Sequence, residues 1–172
     1  MTSNTDIFCA DRVTLGFDEE EDRMSLACVG SGGSRLLWLT ARLARNLVPH
    51  LLNVVATSPV VKTRHTGEPS GPEALSLRAS EKQAVKVTDD MVSSVIATVD
   101  ITHGPMLVQM QFRNARDNTC VQLILEHAQL SRWLEGLRKC FNKADWPMQC
   151  WHSDAENQDK VIAASSNRVL IH

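Results

Sequence analysis

Three consecutive runs of strict alternation constrain this chain most. Ser94 to Ile101 sets Val95, Ala97, Val99 and Ile101 against Ile96, Thr98 and Asp100. Met106 to Arg113 sets Val108, Met110 and Phe112 against Gln109, Gln111 and Arg113. Thr119 to Leu125 places Val121, Leu123 and Leu125 on one side. Side chains of a strand alternate between its faces, so each run needs one buried and one wet face. The connections, His103-Gly104-Pro105 and Asn114 to Asn118, are short and made of turn formers. The pattern predicts an antiparallel meander with Gln109, Gln111 and Gln122 on its wet face.

An earlier pair of runs has the same character. Val13, Leu15 and Phe17 share one face of Arg12–Phe17, and Met24, Leu26 and Cys28 share one face of Met24–Val29. Asp18, Glu19, Glu20, Glu21 and Asp22 join them. That loop has no Gly or Asn for a tight turn and lacks the D-x-[DN]-x-[DN]-G order of a calcium loop. Five adjacent acids read as a solvated hairpin tip whose charge discourages edge-to-edge pairing. Residues 1–10 read as an arm or an edge strand.

Between these strand blocks the spacing turns helical. At about 100° per residue, Leu36, Leu39, Leu43, Leu47, Leu51 and Val54 fall on one side of a helix over Ser31–Val55. Arg35, Arg42 and Arg45 fall opposite, with Trp38 three residues after Arg35 and four before Arg42. Such spacings bring side chains together. A Trp among guanidinium groups makes cation–π contacts or anchors an interface. The simpler reading has Trp38 covered by a second element while the arginine stems reach past it to water. Pro49 removes a backbone donor, so a kink or stop is expected near Asn46–Val48.

The lead-in, Gly30 to Ser34, has the layout of a loop that offers free amides to an anion at a helix start. Gly32, Gly33, Ser34 and Arg35 are the anion-binding candidates. The loop lacks the Lys-Ser/Thr pair of a P-loop, and Arg35 stands where a dinucleotide loop has its third glycine. A plain connector with Ser31 or Ser34 as N-cap competes with this reading.

Residues 57–71 are rich in Ser, Thr, Pro and Gly and predict an exposed loop or linker. Pro72-Glu73 reads as a helix start, giving a second helix to about Val85. After the meander, Leu130, Trp133, Leu134, Leu137, Cys140 and Phe141 mark a third helix from His127 or Ala128. Asp145-Trp146-Pro147 ends it. The expected fold is α+β: an antiparallel sheet made of the N-terminal hairpin and the three-strand meander, with a two-helix insert and a C-terminal helix. Residues 1–147 form one domain and 148–172 a tail, of which Arg168–Ile171 can add one strand. In order of elements the chain resembles the head domains of eukaryotic DNA end-joining scaffolds, where a helical insert sits between antiparallel strands. The resemblance is in element order alone and brings no function with it.

Composition narrows the function classes. Net charge is −2, there is no tyrosine, and aromatics are 5%, so stacking platforms and basic stripes for nucleic acid are poorly supplied. Five cysteines without a C-x-x-C pair, and no apolar run of about 18 residues, point to a reduced, cytoplasmic protein that does not enter a membrane. No His spacing matches a metal motif, although Cys150, His152 and His172 could be gathered by folding. Cys140, Cys150 and His152 come nearest to a nucleophile–base set, but no third, orienting residue is evident. Hence no metal, cofactor or catalytic set is expected.

Charge is instead segregated. From Met24 to Gly67 there is no acid, while Arg35, Arg42, Arg45, Lys62 and Arg64 are present. The expectation is a non-enzymatic interaction or scaffold module that pairs with a protein partner, as a homodimer. Its face would be Arg35, Trp38, Arg42 and Arg45, complemented by Asp18, Glu19, Glu20, Glu21 and Asp22. The alternative is an anion- or nucleotide-binding protein that uses the Gly30–Ser34 helix start.

Overall fold

The computed structural model describes residues 7–57, 84–116, 119–152 and 168–172. In order these form β1 (Ile7–Ala10), β2 (Arg12–Asp18), β3 (Arg23–Gly30), β4 (Gly33–Leu39), α1 (Ala41–Thr57) and β5 (Val92–Val95). Then come β6 (Thr98–His103), β7 (Leu107–Arg113), β8 (Cys120–Glu126), α2 (His127–Lys143), a 3-10 turn at Gln149–Trp151 and β9 (Arg168–Ile171). The first sheet runs β1-β8-β7-β6-β9 and the second β2-β3-β4-β5. The fold is mixed α/β, with two sheets and, among the described residues, two α-helices.

The first hairpin forms as its alternation predicts, β6, β7 and β8 pair in sequence, and 168–171 adds to β6 as a strand; the run Ser94–Ile101 is instead divided between β5 of the second sheet and β6 of the first. The single, purely antiparallel sheet is corrected: the hairpin lies in the second sheet and the meander in the first, and both sheets are mixed. β1 lies parallel to β8, and β4 lies parallel to β5. The β4–β5 connection contains α1, and a long crossover is what permits parallel pairing.

The helix over Ser31–Val55 is also corrected. Gly33–Leu39 is strand β4, paired with β3 from Gly30↔Gly33 to Met24↔Leu39. The helix starts only at Ala41, where Thr40 Oγ1 accepts the Leu43 N–H at 3.3 Å as an N-cap. Leucine favours helices, but ladder pairing with β3 overrides that preference. Pro49 neither stops α1 nor ends it early, since the helix runs on to Thr57. The carbonyl that Pro49 leaves without an N–H belongs to Arg45. Both residues are exposed, so water can serve that oxygen, while Leu47, Val48, Leu51 and Val54 hold the opposite side in the core. The loop of 57–71 and the second helix of 73–85 lie outside the described residues, apart from Thr57 and positions 84–85.

Two corners join the sheets. At the first, β1 passes into β2 through Asp11, whose N–H reaches the Val29 carbonyl at 2.8 Å. At the second, Ile96 N–H bonds Trp38 O and Ala97 N–H bonds Arg113 O, each at 2.9 Å, so one bent strand leaves the second sheet and enters the first. The phase of alternation slips there. Val95 is 41% exposed and Ile96 is buried, yet Val99 and Ile101 face inward. Inward side chains of both sheets, together with α1 and α2, form one apolar cluster.

Close approach at the first corner requires glycine. A Cβ at Gly30 would lie 2.0 Å from the Cys9 carbonyl oxygen, a backbone atom that cannot step aside. Across the structure, β9 is pinned to β6 by Arg168, whose Nε donates to both carboxylate oxygens of the buried Asp100 at 2.9 and 3.1 Å and whose Nη2 also bonds Oδ2. The Arg168 hydrogen bond holds the Asp100 carboxyl below its usual range; burial opposes this, and the charges of Arg168 and Arg113 assist.

Two outcomes follow. Gly30→Ala should destabilise the protein by about 1–3 kcal/mol or more in urea unfolding. Gly32→Ala, whose Cβ would meet only the Phe8 ring at 3.4 Å, should change little. The lowered carboxyl of Asp100 means that its contribution is complete above the unfolded-state value and is lost as pH falls through the folded-state value. Arg168→Met should therefore flatten the acid-side fall of stability measured by urea midpoints against pH.

Candidate interaction face

Register fixes which residues share the outward side of the second sheet. Its core side carries Val13, Leu15 and Phe17 of β2, Met24, Leu26 and Cys28 of β3, and Leu37 and Leu39 of β4. The opposite side therefore carries Thr14 and Gly16, then Ser25 and Ala27, then Leu36 and Trp38, then Ser93 and Val95. Ser25, Ala27 and Leu36 are buried although they point away from the core. Two rows make a low floor: Thr14, Ala27, Leu36, Ser93 and Gly16, Ser25, Trp38, Val95. A Cβ at Gly16 would meet Ser25 Oγ at 2.7 Å, so a side chain there would force the Ser25 hydroxyl to turn aside. Trp38, half-buried, rises from this floor beside the exposed Val95.

One described residue from beyond the sheet, Val85, reaches this side. Val85 N–H donates to Thr14 Oγ1 at 2.8 Å, which puts the Val85 backbone on the outward side of β2. By Val92 the chain has reached β5 at the far edge. Four adjacent strands span about 14 Å, well within the reach of the eight residues from Val85 to Val92. The segment therefore links the two edges of the sheet, with residues 86–90 exposed.

The predicted face is divided by this geometry. Trp38 lies on β4, Arg42 and Arg45 on the first turns of α1, and Arg35 on the core side of β4 at the other end. Arg35 is engaged internally, with Nη1 donating to Ser34 O at 3.0 Å and the guanidinium 5.1 Å from the Phe8 ring centroid. Gly32, Gly33 and Ser34 form the β3–β4 hairpin turn, with Gly33 at φ 108°. No helix starts there, so the physical premise of an anion cradle at Gly30–Ser34 is replaced by a ladder turn.

The acidic tip does come near the start of α1. Asp18 pairs with Arg23, Met24 pairs with Leu39, and Thr40 follows, so the tip and the first turn of α1 share one end of the second sheet. The tip is partly committed within the chain. Asp18 Oδ1 accepts the N–H groups of Glu20 and Glu21, each at 3.0 Å. Glu21 pairs with Arg23 at 3.4 Å and Glu19 with Lys143 at 3.8 Å, exposed contacts that add little stability. Asp22 accepts the Trp146 indole N–H at 3.3 Å. Trp146 packs edge-on against Phe17 and Phe141, which moors the tip to the end of α2.

Cysteine chemistry finds no support in these surroundings. Burial pushes the Cys140 and Cys150 thiols up, with Lys143 and Arg45 respectively acting in the opposite direction. A raised thiol carries less of the thiolate that a nucleophile needs. Among the described residues, no group of three or more His, Cys, Asp or Glu is placed to hold a metal ion. None of the described helices is long and apolar enough to cross a membrane. Gln111 donates to Gln122 at 3.1 Å and Arg113 to Gln111 at 2.6 Å, so the wet face of the meander is a bonded amide ladder.

Sequence reasoning missed Thr14, Gly16, Ser25, Ala27, Val85 and Val95. A signal was present: the outward positions of the first hairpin are Thr14, Gly16, Ser25 and Ala27, small residues where charged ones are usual. No family model, curated protein or solved structure matches the chain.

The mooring of the tip carries a measurable strain. α2 ends in a Schellman arrangement, with Trp146 N–H to Phe141 O at 3.1 Å and Asp145 N–H to Asn142 O at 3.3 Å. Asp145 occupies the left-handed position at φ 53°, where glycine is favoured, and sets an acid at the negative end of the helix. Asp145→Gly should raise stability by about 1 kcal/mol, seen as a higher melting temperature.

Proposed function

We propose that the protein is a non-catalytic interaction module that pairs with a second copy of itself through the outward face of β2–β5. The observation that carries this reading is Trp38. It is half-buried, points away from the core, and stands next to the exposed Val95 above a floor of small residues. A Trp flanked by low neighbours is the kind of anchor that dominates protein interfaces. The charge layout supports a two-fold pairing. Acids of the tip and the exposed Arg42 and Arg45 lie at one end of the sheet. A two-fold axis beside Trp38 would set each tip opposite its partner's first turn of α1, and the contacts would be reciprocal. Arg35 is not part of this face.

Mass in solution across a concentration series tests the reading. The wild type should pass from one chain to two. Trp38→Ala should weaken pairing by about tenfold or more, with circular dichroism unchanged. Arg42→Glu should weaken it too, by a margin that shrinks in high salt. A wild type that remains a single chain throughout, or folded variants that pair as well as wild type, would contradict the proposal.

A further inference from the structure

We draw no further inference here: the strongest candidate, the outward face of the first sheet, where Leu107, Ile124 and Leu170 stand exposed around the bonded Gln111–Gln122 pair, carries nothing because no observation in the structure shows what covers it.

Discussion

Pairing between β3 and β4 is the interaction on which the rest depends. Seven register pairs, from Gly30↔Gly33 to Met24↔Leu39, turn a leucine-rich stretch into a strand. That pairing sends Leu37 and Leu39 into the core and leaves Leu36 and Trp38 on the other side. It supplies the edge on which β5 docks in parallel, and the Trp38 carbonyl then receives the Ile96 N–H that turns the chain into the first sheet. It also delays the helix to Ala41, so that α1 spends its leucines, Leu43, Leu47 and Leu51, on the common core.

The legible parts of the fold are those with one wet face. β7 and β8 were readable because Gln109, Gln111 and Gln122 mark the outward side, and the structure bonds two of those amides to each other. β4 was not readable, because both of its faces carry apolar residues. Leu36 and Trp38 outward and Leu37 and Leu39 inward erase the period of two, and a run of leucines then fits helical spacing as well. The corner at Ile96–Ala97 was hidden for another reason. The bend shifts the phase by one residue, so Val95 and Val99, which alternation assigns to one side, end on different surfaces. Parallel pairing of β1 depends on contacts with β8, more than a hundred residues away in sequence, and no local pattern carries it.

The candidate face was legible in part, through the wrong geometry. Helical spacing makes Trp38 and Arg42 neighbours on one helix. They are instead near one another because a strand ends at Leu39 and a capped helix begins at Ala41. Arg35 was included by helical arithmetic and is turned to the core side, over the Phe8 ring. The acidic tip was read from composition alone, and its nearness to α1 comes from the hairpin register. The position of Val85 beside Thr14 could not be foreseen, since a single hydrogen bond from its N–H to the Thr14 hydroxyl, spanning 71 positions, places it.

The central claim is that Trp38 looks outward from a strand and becomes covered when two copies meet. Fluorine NMR on protein labelled with 5-fluorotryptophan tests it directly, because the chain has four tryptophans and therefore four signals. The Trp38 signal is identified by its loss in Trp38→Phe. In dilute protein it should show a clear solvent-isotope shift, and with rising concentration it should move and lose that shift while the other three stay in place. A Trp38 signal with no isotope shift in dilute protein, or one that does not change with concentration, would contradict the account.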